Sequence, residues 1–313
     1  MNLKELAASL NALEQVDSSQ FQRLARVLQS IWRVEQGIPC GEKRDKSGTR
    51  LLGSLLPMPR AEERLENFLT EQVREVVRAE VRNPLASKGK VYIKPRIFNN
   101  LLSSQPLCFN LFGELTYDLA LASALVEGLS DGRFTDVTGI AFEYSPGRRD
   151  ARYLNDGSAF DVFIRCRNAS GGSSFIAVEV KYHENLIWTA GAHKLRYDEV
   201  ADLMGCFSSD HKPLQSSPLQ QIWRDHLLAG ITRIEDGYDD AMFVVLYPKD
   251  NAHVSAALSA YRQQLSCKSS FAAWTLEDLV DDLRGASEAT WIDAFTDRYL
   301  AFGKVDQRLR TAD

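Results

Sequence analysis

The chain has no CxxC pair, and its five cysteines (Cys40, Cys108, Cys166, Cys206 and Cys267) are scattered and odd in number. That pattern excludes a zinc ribbon, offers no disulfide framework, and fits reduced thiols. No stretch reaches the ~18 consecutive apolar residues of a spanning helix, and the opening "MNLKELAASLNALEQVD" is a polar amphipathic segment without the apolar centre of a secretory leader. A cytoplasmic protein with no membrane partner is the resulting expectation. Basic residues are not in excess: 37 Lys and Arg stand against 42 Asp and Glu, a formal net charge of -5. This excludes a globally basic nucleic-acid binder, although a local basic groove is compatible with it. Internal repeats, low-complexity tracts, a Gly-rich phosphate loop and a Ser, His and Asp arrangement are all lacking, which removes solenoids, P-loop chemistry and serine-hydrolase chemistry.

What remains is a chain of 313 residues, 44% hydrophobic and 25% charged, enough for one large domain or two ordinary ones. Residues 1–82 read as a helical N-terminal region. Leu3, Leu6, Leu10 and Leu13, then Phe21, Leu24, Val27, Leu28 and Ile31, recur at helical spacing. The segment "GIPCGEKRDKSGTRLLGSLLPMP" reads as a loop or linker, and a further helix over 61–81 stops before Asn83-Pro84. Residues 83–313 form the second region. There the pattern predicts a helix over 109–129, strands over 136–144, 160–167 and 175–182, helices near 193–206 and 218–234, a strand over 241–248, a helix over 253–265, a short strand at "FAAWTL" and closing helices. The order implies an α/β protein with a mixed central sheet flanked by helices. Trp188, Trp223, Trp274 and Trp291 read as core packing.

One stretch breaks the pattern of a buried strand. In "SSFIAVEVKYHENL", Glu179 and Lys181 follow an apolar run with no evident water-facing side. Side chains alternate along a strand, so Phe175, Ala177, Glu179 and Lys181 share one face. A carboxylate or ammonium left unpaired in a strand covered on both sides costs several kcal/mol, so the two must be solvated at a cleft, partnered, or bound to a metal. The preceding strand "FDVFIRCR" joins this one through a short Asn, Ser and Gly turn, which predicts an antiparallel hairpin. Centring the turn on Gly171 sets Asp161 opposite Lys181 and Phe163 opposite Glu179. Asp161 and Glu179 are then diagonal neighbours at about 7–8 Å, close enough to share one divalent cation. A slip of one residue would turn Asp161 to the other face.

Oxygen-only ligands with no His or Cys at matching spacing suit Mg²⁺ or Mn²⁺. With Lys181 beside them, the arrangement reads as metal-assisted phosphodiester hydrolysis. "AFD" followed by "VEVK" across a hairpin resembles the PD-(D/E)XK motif of restriction-endonuclease-like nucleases, with Asp161, Glu179 and Lys181 in its three positions and Phe160 where proline is usual. The order of elements over 109–248 resembles that fold's core, and "NNLLSSQPLCFNLFGEL" resembles a branch of bacterial restriction-endonuclease-like proteins. The resemblance implies a restriction-endonuclease-like fold over 83–313 and a Mg²⁺-dependent endonuclease acting on nucleic acid, with DNA preferred, in restriction or defence. A homodimer is compatible with it. It also implies an acid from the helix before the sheet, Glu114 ahead of Asp118, at the metal together with Asp161 and Glu179. A glutamine on the helix after the ExK strand is implied as well. Gln220 borders the face of Leu219, Ile222, Trp223 and Leu227, whereas Gln221 points away from it. Other readings are an inactive nuclease-fold binding or regulatory module and an RNA-cleaving enzyme. Bland alternatives stand beside each residue: a sheet-edge ion pair for Glu179 and Lys181, a helix-start acid for Glu114, a buried hydrogen-bonding residue for Gln220.

Overall fold

The computed structural model describes residues 1–46, 48–186 and 190–310, and the expectation for Trp188 lies outside them. Contacts divide the chain into two compact units: Met1–Glu114 together with the described residues from Glu288 onward, and Leu115–Ser287.

The first unit opens with α1 (Leu3–Ser9) and α2 (Gln20–Glu35), each started by a capping box, Asn2 with Glu5 and Ser19 with Gln22. Next come the strands β1 (Gly41–Asp45) and β2 (Gly48–Leu52). They form an antiparallel hairpin where the sequence suggested a loop. The charges that argued against a strand are accommodated by one acid: Lys43 and Arg50 face each other across the hairpin, and Glu14 accepts from both at 2.7 Å. Helices α3 (Arg60–Arg64), α4 (Glu71–Val77), α5 (Arg96–Asn99) and α6 (Ser104–Leu115) follow. The single helix expected over 61–81 is broken because Leu65 adopts a left-handed conformation and Thr70 starts a new helix by accepting from Val73 N–H. Late in the chain, α12 (Thr290–Tyr299) packs against α2, as does α13 (Gly303–Arg310). Arg298 is fully buried there, stacked 4.2 Å from the Trp32 ring and donating to the Asn67 carbonyl at 2.8 Å.

The second unit begins with α7 (Leu119–Leu129). The helix expected over 109–129 is two helices, since Asp118 turns its carboxylate onto Leu121 N–H at 2.9 Å and caps α7 instead of continuing α6. Strands β3 (Phe134–Tyr144), β4 (Phe160–Asn168) and β5 (Ser173–Val180) form an antiparallel series. Helices α8 (Leu195–Met204) and α9 (Leu219–Glu235) lead to β6 (Asp240–Tyr247), and α10 (Ala252–Gln263) leads to β7 (Phe271–Thr275). Both β6 and β7 join in parallel, giving a five-stranded mixed sheet in the order β3-β4-β5-β6-β7, closed by α11 (Leu276–Ala286). This is the α/β sandwich that the alternation of elements implied, consistent with a restriction-endonuclease-like fold. One sheet face buries Phe163, Phe175, Ala177, Phe243 and Val245 against Ile222, Trp223 and Leu227 of α9. Among the described residues, no helix is long and apolar enough to cross a membrane.

His226 shows what that packing does to a titratable group. Its ring is fully buried among Phe207, Phe243 and Phe271, with Nδ1 2.8 Å from the Tyr261 hydroxyl and Nε2 2.9 Å from Ser270 Oγ. Burial pushes its pKa down to about 3, against a modest opposing hydrogen bond from Ser270. The folded state therefore holds His226 neutral where the unfolded chain takes up a proton. Its stabilising contribution is complete above the ordinary value near 6.5 and is lost as pH falls from there towards 3, at about 1.4 kcal/mol per pH unit. Between pH 6 and 4.5, the protection factors of amides in α9 and β6, corrected for the intrinsic exchange rate at each pH, should fall more steeply in the wild type than in His226→Gln. Equal slopes in the two proteins would remove His226 as the cause.

Candidate active site

Glu179 near the end of β5 and Lys181 just after it are both buried. Glu179 is 6% exposed and Lys181, one residue beyond the strand, is 7% exposed. They pair: Lys181 Nζ donates to Glu179 Oε1 at 2.6 Å. Asp161 enters at the start of β4 and is half-buried. The observed ladder runs from Arg167 opposite Ser173 to Val162 opposite Val178, so its next position sets Asp161 opposite Glu179 rather than opposite Lys181. The turn explains the two-residue correction. Asn168 accepts through its side chain from the N–H groups of Ser170 and Gly172, which centres the hairpin on Ser170 while Gly171 takes a φ of +83°. An even shift leaves every side chain on its expected face and brings the carboxylates closer together. Past the last ladder pair, Asp161 Oδ2 accepts Val180 N–H at 2.8 Å, so the side chain is fixed by the strand it faces.

Three further residues border this pair. Glu143 occupies the β3 position between Phe142, opposite Val162, and Tyr144, opposite Phe160, which sets it beside Asp161 with a backbone φ of +48°. On α9, Gln221 Nε2 donates to Glu179 Oε1 at 2.9 Å. One turn further along, Asp225 is 4% exposed and its Oδ2 has no hydrogen-bond partner.

The electrostatics follow from this crowding. Burial raises the Asp161 carboxyl well above its usual range, the Glu179 and Glu143 charges add to the rise, and Lys181 and the Val180 N–H oppose it. Asp225 is raised in the same way, by burial first and then by Glu179, against Arg224 and Lys181. For Lys181, burial pulls the ammonium down, but Glu179, Glu184 and Asp161 together outweigh it and raise the pKa, so it stays charged at neutral pH. Carboxylates outnumber the cations that face them, and one buried carboxylate oxygen is left without a donor. That surplus of negative oxygen is of the kind a hard divalent cation offsets, and Asp161 and Glu179 are the residues that could hold one. Among the described residues, no group of three or more His, Cys, Asp or Glu side chains is placed to hold a metal ion.

The remaining expected residues have partners of their own. Gln220 is buried, but its Nε2 donates to the carbonyls of Gly191 at 2.7 Å and Gln215 at 3.2 Å, so Gln221 takes the position beside Glu179. The reason is that α9 is buried around most of its circumference, and its apolar stripe does not identify the face turned to β5. Glu114, the last residue of the first unit, is buried and accepts from Thr70 Oγ1; burial raises its carboxyl and the Thr70 bond opposes the rise. Asp118 is the cap of α7. Sequence reasoning missed Glu143, Gln221 and Asp225. Gln221 and Asp225 are polar residues four apart on α9, but Gln220 and Arg224 share that spacing, so the sequence did not single them out.

A family model described as PD-(D/E)XK nuclease superfamily matches residues 15–301. No curated protein and no solved structure matches the chain.

Proposed function

Since this chain belongs to the PD-(D/E)XK nuclease superfamily, a nuclease in general, we propose that it is a Mg²⁺- or Mn²⁺-dependent phosphodiester hydrolase that cuts DNA internally, in restriction or another defence against foreign DNA. The observation that supports this reading best is the juxtaposition of Asp161 and Glu179 across the β4–β5 hairpin, with Lys181 bonded to Glu179 on the same buried face.

Asp161 and Glu179 would hold the cation. When bound there, it would lower the pKa of a coordinated water and neutralise charge on the phosphodiester. Lys181 is the residue that donates to the attacking oxygen or to the charge developing on phosphorus, and its low exposure strengthens that interaction relative to water. Gln221 restrains the Glu179 carboxylate from α9 and acts as a positioning residue. Gln220 is committed to backbone carbonyls and Glu114 to Thr70, and the chemistry is assigned to neither.

This division yields a paired expectation. Gln221→Ala should weaken Mn²⁺-dependent stabilisation and slow cleavage by about 10–100-fold, the usual effect of removing a partner that orients a metal ligand. Gln220→Ala should leave the metal response unchanged. Mn²⁺ titrations of melting temperature in both variants test it, and a larger loss in Gln220→Ala would reverse the assignment.

The function itself is tested by incubating purified protein with plasmid, linear duplex, single-stranded DNA and RNA, each with Mg²⁺, Mn²⁺ or EDTA. Cutting of plasmid and duplex with metal and none in EDTA supports the proposal. Cutting of RNA alone moves the substrate to the RNA reading. Cutting in EDTA contradicts the metal-dependent mechanism, and no cutting of any substrate favours the binding-module reading.

A further inference from the structure

A second feature lies in the same unit, away from the carboxylates. A cavity of about 270 Å³ opens at the amino-terminal end of β6, lined by Arg133, Asp240, Ser269 and Ser270, whereas Glu179 pairs with Val245 towards the other end of that strand. Two of the five cysteines, Cys206 and Cys267, line this cavity. Cys206 follows Gly205, whose left-handed φ of +62° ends α8. Cys267 lies in the turn before β7.

The two backbones meet. Ser266 N–H and Cys267 N–H both point at the Cys206 carbonyl, at 3.0 and 3.4 Å, beside an antiparallel bridge between Phe207 and Leu265. Bond lengths then hold the two Cα atoms within about 7 Å of each other. A disulfide spans about 4.4–6.8 Å between Cα atoms, so the two backbones lie at a separation compatible with one.

The two thiols are chemically unequal. Cys267 is exposed, with Sγ 3.1 Å from Ser269 Oγ. Hydrogen bonds from the Ser269 side chain and backbone, with the Arg133 guanidinium adding to them, hold its thiol below the ordinary value. Cys206 is buried, and burial pushes its thiol up, with the charge of nearby Cys267 contributing. The contrast is that of an accessible attacking thiol beside a shielded resolving one. Cys108 and Cys166 are buried, and burial raises the Cys40 and Cys166 thiols.

We propose that Cys267 and Cys206 form a peroxide-responsive pair that closes into a reversible disulfide across this cavity. The Cys267 thiolate attacks one oxygen of a hydroperoxide; an S–O bond forms, the O–O bond breaks, and the other oxygen leaves as an alcohol or water after taking a proton. The Cys206 sulfur then attacks the Cys267 sulfenic sulfur; the S–S bond forms, the S–O bond breaks, and the departing hydroxide takes the Cys206 proton and leaves as water. The two thiols supply the two electrons that reduce the peroxide.

The test uses the full chain and does not depend on nuclease activity. Treatment with hydrogen peroxide, followed by thiol titration and non-reducing peptide mapping, should lower the free thiols from five to three, with one dithiothreitol-reversible crosslink joining Cys206 to Cys267. In Cys206→Ser, Cys267 should accumulate as a sulfenic acid captured by dimedone. In Cys267→Ser, thiol loss should slow by about tenfold or more, because the attacking group is gone. The proposal is overturned if all five thiols survive, if the crosslink maps to other cysteines, or if Cys267→Ser oxidises as fast as the wild type.

Discussion

Lys181→Met is expected to slow cleavage by about 10²–10³-fold, the effect of removing one donor aimed at developing charge. It should leave metal binding in place, because the oxygens of Asp161 and Glu179 are untouched. The same substitution should cost folding stability. Lys181 is the partner that offsets Glu179, Glu184 and Asp161 in a nearly dry setting, and removing one member of a buried ion pair costs about 3–5 kcal/mol. Added Mn²⁺ should restore part of that loss, since a divalent cation neutralises the same carboxylates. Single-turnover cleavage with melting curves in EDTA and in Mn²⁺ checks both halves. Wild-type cleavage by Lys181→Met would remove the lysine from the mechanism.

Asp161→Ala should abolish cleavage and metal response together. Losing one of two protein ligands forfeits several kcal/mol of transition-state stabilisation, or about 10³-fold in rate. A cation present at 100 times its dissociation constant should stabilise the wild type by about 2.7 kcal/mol and the variant by nothing measurable. Asp161→Asn separates charge from structure. Its amide oxygen can still accept Val180 N–H, while the carboxylate that burial, Glu179 and Glu143 all disfavour is gone. Without metal, this variant should be at least as stable as the wild type while remaining inactive. A clear fall in its metal-free stability would mean that Asp161 serves the fold rather than a cation.

Much of this was legible in the chain because it depended on parity and alternation. Asp161, Glu179 and Lys181 share a face whether the hairpin is centred on Gly171 or Ser170, so that grouping does not depend on the two-residue difference in register. The register itself was hidden because it depends on the Asn168 side chain gripping Ser170 and Gly172. Gln220 was preferred over Gln221 because a helical stripe separates buried from exposed, and α9 is buried on more than one side. The break before α7 was readable in principle, since Asp118 precedes an apolar helical run. Glu143 left no such trace: at the end of β3 it looks like any strand-terminal acid until β4 is laid beside it. The β1–β2 hairpin was obscured for a similar reason, because Lys43 and Arg50 face each other and share Glu14, a residue far from them in sequence.

Asp161 and Glu179, brought opposite each other by the β4–β5 hairpin, are expected to bind a divalent cation. A calorimetric titration of Mn²⁺ into the wild-type chain and into Asp161→Asn measures this without any substrate. Saturable binding by the wild type that disappears in Asp161→Asn is the expected result. No binding by the wild type, or the same isotherm from both proteins, would contradict it.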